Sequence, residues 1–296
     1  MVMTMKKLAV FVLIISILAL CGCGTIPADF DIVATTLPVY DFTSALCTGT
    51  DLTVGRLVTE SVSCLHDYTL QVWQMRMIEQ ASVVVISGAG LEDFLEDALS
   101  GSQLTIDASS NTHLHSGEHH HEDSHSHSHS HDLDPHIWLS TENAAVMAQN
   151  ICSNLSEIYP QYRDVFQANL DPLLQKLNDL QFYGQSQLSD LSSRDLITFH
   201  DGFAYFAESF DLRILEAIEE ESGSEASAAE IIHLVELVKI NQLPAVFTEV
   251  SGSDACASII SSETGAKIFT LDMAMSGDSY FDAMYHNIDT VKEALK

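Results

Sequence analysis

Basic residues are scarce. The chain of 296 residues has 12 lysines and arginines against 42 aspartates and glutamates, a formal net charge of −30. A surface so negative repels phosphate backbones, which excludes nucleic-acid binding, and it attracts cations. Long apolar runs are also missing. The longest, Leu8–Leu20, covers 13 residues interrupted only by Ser16, well short of the roughly 20 that a spanning helix needs. Closely paired cysteines of the zinc-finger kind are absent. So is any H-E-x-x-H, nucleophile elbow or phosphate loop, and the His121-Glu122 pair sits in low complexity, so a zinc hydrolase finds no support.

What is abundant is apolar material, 46% of residues, and histidine, with 14 copies. The first excludes global disorder, and the length suits about two domains. Nine of the histidines fall between His113 and His131, alternating with serine and acids. That tract cannot bury a core and is expected to be a loop. Its composition suits loose collection of metal ions, and a dispensable linker is the alternative.

At the N-terminus, Lys6 and Lys7 precede the 13-residue apolar run, which has the size of a secretory signal core. Leu20-Cys21-Gly22-Cys23 follows and looks like a bacterial lipobox. Small Gly22 precedes Cys23, which makes Cys23 the expected lipidated residue and 1–22 the removed segment. Export and a lipid anchor to the membrane follow from that reading. Cys47, Cys64, Cys152 and Cys256 then remain; four cysteines allow three pairings, and buried thiols are equally open.

Short β-branched runs read as buried strands: 31–36, 52–58, 82–87 and 104–107, then 196–199, 212–218, 245–250 and 267–271. Helical periodicity marks 39–46, 70–80, 91–99, 141–158, 228–240 and 280–295. Ser140 or Thr141 suits an N-cap. From Pro160 to about Leu191 one segment keeps helical spacing, with Pro172 as a possible kink; roughly 30 residues at ~1.5 Å each span about 45 Å, enough to bridge two lobes. The predicted fold is α/β, two lobes of about four parallel strands flanked by helices and joined by one long helix. The boundaries fall at 23–158, with the histidine tract inside, 159–191 for the helix, and 192–296.

Outside the tract lie His66, His136, His200, His233 and His286. His200 ends a strand, His66 follows one in a turn, His136 sits in a turn with Pro135, and Asp272 ends the last strand; open α/β sheets place ligands at such carboxyl ends. His233 and His286 fall mid-helix and read as surface or packing residues.

Asp134-Pro135-His136-Ile137-Trp138-Leu139 and Thr198-Phe199-His200-Asp201-Gly202-Phe203 resemble two motifs of the zinc-specific solute-binding lipoproteins of ABC transporters, the cluster A-I metal-binding proteins. Ser87-Gly88-Ala89-Gly90-Leu91-Glu92 and the segment from Tyr280 to Asn287 are similar to two more. The resemblance implies Zn²⁺ as transported ligand, held between the lobes by His66, His136, His200 and Asp272, and an ABC permease as partner of an extracytoplasmic, monomeric protein. Two departures bear on the ligands: no proline flanks His66, and Met273 rather than proline follows Asp272. Glu221 or water is therefore an alternative fourth ligand. Three imidazoles and one carboxylate suit tetrahedral Zn²⁺, whereas Mn²⁺, the alternative metal, prefers more oxygen. A metal-binding adhesin without transport is the other reading. Imidazole binds metal only when neutral, so affinity is expected to fall below about pH 6.

Overall fold

The computed structural model describes residues 29–60, 62, 65, 68–99, 103–115, 133–219, 226–250, 252–275 and 277–296. The signal segment 1–22, Cys23, Cys64, His66, Glu221 and the tract from 116 to 131 lie outside the described residues.

The first lobe is built on four parallel strands, β1 (Ile32–Ala34), β2 (Val54–Arg56), β3 (Val83–Ile86) and β4 (Leu104–Asp107), in the order β2-β1-β3-β4. Val83, Val84 and Val85 are wholly buried. This is why β3 reads as an unbroken β-branched run: a parallel strand covered on both faces has no solvent side to mark with polar residues. Helices α1 (Leu37–Cys47) and α2 (Val72–Gln80) provide crossovers. Gly88 closes β3 with φ +85°, and a Cβ there would lie 2.0 Å from Asp107 Oδ1, so the turn requires glycine.

The 91–99 segment is not the helix its periodicity predicts. One 3₁₀ turn, Asp93–Leu95, is all that forms. The Glu92 carboxylate turns back to accept the Ser87 and Gly88 amide protons at 2.7 and 3.0 Å and the Thr35 hydroxyl at 2.7 Å. That inward side chain fixes the start of the segment against the sheet, overriding the local pattern.

Ser140 caps α3 (Thr141–Ile158), its side chain accepting the Asn143 amide. A 3₁₀ turn at Pro160–Tyr162 leads into the long helix α4 (Arg163–Gln187), 25 residues or about 37 Å. Pro172 sits within α4 without ending it; the position is exposed, so water can take the carbonyl left unbonded one turn earlier.

The second lobe holds β5 (Asp195–His200), β6 (Arg213–Glu219), β7 (Ala245–Glu249) and β8 (Lys267–Leu271). β5 pairs with β6 and β7 with β8, both in parallel, and β5 runs alongside β7. α5 (Ala204–Ser209), α6 (Ala228–Asn241), α7 (Ala255–Thr264) and α8 (Tyr280–Leu295) flank them. The sequence pattern does not mark α5 or α7. α7 is rich in serine and threonine, which are weak helix formers, and its apolar face is only Cys256, Ala257 and Ile260.

One hydrophobic core runs through both lobes, joining Phe42, Trp138, Phe166, Phe247, Tyr280 and Met284. Hydrogen bonds reinforce the junction: Trp138 Nε1 donates to the Met273 carbonyl at 2.7 Å, Tyr280 Oη to the Trp138 carbonyl at 2.8 Å, and the Tyr280 amide to Asp41 at 2.8 Å. A core shared in this way opposes wide hinge opening. Cys47 and Cys152 are buried thiols, and burial pushes Cys47 up to about 12. No helix among the described residues is long and apolar enough to cross a membrane.

Candidate metal centre

His136 and His200 come from different lobes and meet. His136 opens the 3₁₀ turn Ile137–Leu139, whose Trp138 anchors it in the core. His200 is the last residue of β5, paired with Glu219 of β6. Both are buried, at 2% and 5% exposure, with ring centroids 5.1 Å apart and planes inclined at 84°. Two imidazoles on one tetrahedral ion, each at ~2.0–2.1 Å, hold their centroids ~5.2 Å apart. The pair therefore already stands at metal-bridging distance.

The orientation of His136 is fixed from behind. Asp134 Oδ1 accepts both the His136 amide proton, at 3.0 Å, and Nδ1–H, at 2.7 Å. A proton on Nδ1 leaves Nε2 with its lone pair. Nε2 is buried and has no hydrogen-bond partner among the described residues. Carboxylate, imidazole and outward lone pair in series is the arrangement of a histidine ready to ligate.

Space at the pair depends on Gly202. A Cβ there would lie 3.0 Å from His200 Cδ2, 3.1 Å from His136 Cε1 and 2.6 Å from Met273 Cε. The missing Cβ gives the loop after β5 room to approach both rings and the segment following β8.

Asp272 follows β8. The Asn287 side chain grips its backbone, accepting its amide at 2.8 Å and donating to its carbonyl at 2.7 Å, while its carboxylate accepts the Ala274 amide at 2.8 Å. Burial raises the carboxyl pKa, with the Ala274 bond and His286 pulling the other way. Among the described residues Asp272 does not join His136 and His200 in a set of three ligand atoms within 4.8 Å of one another. His66, between buried Leu65 and Tyr68, lies outside the described residues. His233 bonds Glu216 at 3.0 Å on the surface and His286 bonds the Thr270 carbonyl at 3.1 Å, in keeping with structural roles.

Two residues of this centre carry no sequence expectation of their own. Asp134 stands in the sequence only as a position of the motif around His136. Gly202 acts through the volume it leaves empty. Glu249, 3% exposed, is a buried acid that ends β7, a strand packed against β5.

Comparison with known proteins agrees with this architecture. The chain is similar to the zinc-binding lipoprotein AdcA of Streptococcus pneumoniae, 28% identical over 98% of this chain and 61% of that protein. It thus spans about three-fifths of that relative's length. A crystal structure of ZnuA superposes with TM-score 0.78 at 27% identity, covering 90% of this chain and all of the other. The Zn(II)-bound ZnuA-like domain of Streptococcus pneumoniae AdcA gives 0.74 at 26%, covering 90% and 99%. The family model described as ZnuA, zinc-uptake complex component A, periplasmic, matches residues 32–294. With nearly every described residue inside that match, the chain belongs to the ZnuA family.

Proposed function

We propose that this protein captures Zn²⁺ between its lobes, outside the cytoplasm, and delivers it to the permease of an ABC transporter. The observation that carries the reading is the buried His136–His200 pair, 5.1 Å between centroids, with Asp134 holding His136 so that Nε2 offers its lone pair. His66 is the third ligand, and Asp272 the fourth, with Glu221 or water as its substitute. An N₃O set favours Zn²⁺ over Mn²⁺. The domain built around the same fold in AdcA is Zn(II)-bound.

The lobes are residues 23–158 and 192–296, with 159–191 as the connecting segment. The shared core between them limits closure to a small movement or loop ordering, which a permease reads as the loaded state. The chain acts as a monomer and performs no catalysis. Cys23 carries a lipid that holds it at the membrane; its relative AdcA is named a lipoprotein.

Metal analysis of the purified protein, with His136→Ala and His200→Ala alongside, tests the reading. The parent should hold one tightly bound zinc ion that each variant loses, with affinity down at least ~100-fold. Zinc retained at parental affinity in both variants would overturn it.

A further inference from the structure

Tyr205 joins segments that the sequence keeps far apart. It lies in the first turn of α5, on the stretch of chain that leaves His200 and passes Gly202. Its side chain is wholly buried, and its hydroxyl reaches from the second lobe to the first. Oη accepts the His115 amide proton at 2.9 Å and donates to the Asp134 carbonyl at 2.9 Å. Burial pushes its pKa up to about 12, so the proton for the second bond is present at neutral pH. The His115 ring packs on the Tyr205 ring, with centroids 4.4 Å apart.

These bonds close on Asp134 from both sides. Its amide donates to the His115 carbonyl at 3.1 Å, so both of its backbone polar groups are engaged. A residue held at amide and carbonyl cannot turn about its own backbone, and its carboxylate keeps one direction. That carboxylate accepts the amide and Nδ1–H of His136. A path of hydrogen bonds therefore runs from α5 through Asp134 to the ring of His136. On the other flank of His136, the Trp138 indole donates to the Met273 carbonyl at 2.7 Å. His136 is thus braced by the second lobe before and after it. Donors of a metal centre must be held within about 0.5 Å of the productive geometry, and bracing of this kind is how a fold achieves it.

We propose that Tyr205 is a positioning residue for the metal centre: by bracing Asp134 from the second lobe, its hydroxyl fixes the direction of the His136 lone pair relative to His200 and keeps the affinity for Zn²⁺ high. The inference rests on the zinc-capture reading given above. It assigns the role to the hydroxyl and not to the ring, whose packing stabilises the fold in either case.

Tyr205→Phe tests this on the full chain, because it keeps the ring and deletes the hydroxyl alone. Chelator competition should show zinc affinity down about tenfold, the lower end of what losing a partner behind a ligating histidine costs. Ile151→Val, a core substitution on α3, is the control for lost stability and should keep the parental affinity. In an Asp134→Ala background Tyr205→Phe should add almost nothing, since the path to His136 is already cut. A readout that needs no zinc accompanies these. In the metal-free protein, proton–nitrogen NMR correlations of the His136 ring, assigned by their loss in His136→Ala, should report the Nδ1–H tautomer in the parent and in Ile151→Val, and a mixture of tautomers in Tyr205→Phe. A parent that binds no zinc would defeat the capture reading, and the tautomer measurement would still decide whether Tyr205 positions His136. Parental affinity or an unchanged tautomer in Tyr205→Phe overturns the proposal, as does a loss equally large with and without the Asp134 carboxylate.

Discussion

Asp134 Oδ1 holds the imidazole of His136 by Nδ1 at 2.7 Å while also capping its backbone amide at 3.0 Å. One carboxylate oxygen therefore sets tautomer and ring direction together. Removing it leaves His136 in place but free to turn or to protonate Nε2. Asp134→Ala should lower zinc affinity by about 10–100-fold, the usual effect of losing a partner behind a ligating histidine. Asp134→Asn keeps an acceptor oxygen and should lose less. Chelator competition on both variants checks the order; equal loss in the two would mean that charge, and not orientation, is what Asp134 contributes.

Gly202 separates affinity from stability. Its missing Cβ would meet the two imidazoles at 3.0 and 3.1 Å; the closer contact, 2.6 Å, is to the tip of Met273, which can swing aside. Gly202→Ala should therefore push the rings apart by a few tenths of an ångström. Zinc affinity should fall about tenfold, with stability changed by under ~1 kcal/mol because the strain is spread over movable side chains. Calorimetric titration and urea unfolding measure the two separately.

The strands were legible because parallel sheets are buried on both faces, and runs such as Val83-Val84-Val85 leave no alternative pattern. His136 and His200 stood out because strand and turn ends are where an open sheet gathers ligands. What sequence did not convey is action at a distance. Glu92 reaches back to Ser87 and suppresses a helix over 91–99 that the periodicity predicts. The long helix is shorter than its pattern at both ends: a 3₁₀ turn takes 160–162, and the helix stops at Gln187. Tyr205 acquires meaning only once α5 packs beside His115, a contact between residues some 90 positions apart. Nothing in local spacing encodes such a meeting.

Asn287 is wholly buried and spends its amide on the backbone of Asp272, one bond in each direction. It is what fixes the segment that carries Asp272 and Met273 toward the junction. Asn287→Ala leaves a buried N–H and C=O without partners and should cost roughly 2–3 kcal/mol. If Asp272 ligates, zinc affinity should fall further than in a variant of equal instability placed elsewhere in the core, such as Ile151→Ala. Urea midpoints matched between the two make that comparison fair.

Glu92 makes stability depend on pH in an unusual direction. Burial lifts its pKa from 4.5 to about 7, against the pull of the Thr35, Gly88 and Ser87 hydrogen bonds. Between those two values the folded chain holds a proton that the unfolded chain has released, so stability falls as pH rises from about 4.5 through 7. The contribution is up to about 3 kcal/mol at the conversion of one pKa unit to 1.36 kcal/mol. Glu92→Gln cannot ionise. Its amide must also face a backbone N–H with an N–H of its own, which costs stability at every pH. The cost of Glu92→Gln should therefore be larger at pH 5 than at pH 8, where the parent bears a buried charge and the variant does not. Urea unfolding of both proteins at the two pH values reads this difference free of the repulsion among the other carboxylates, which both share. A cost that is constant, or that grows toward pH 8, would show that Glu92 is ionised throughout and that its three donors outweigh its burial.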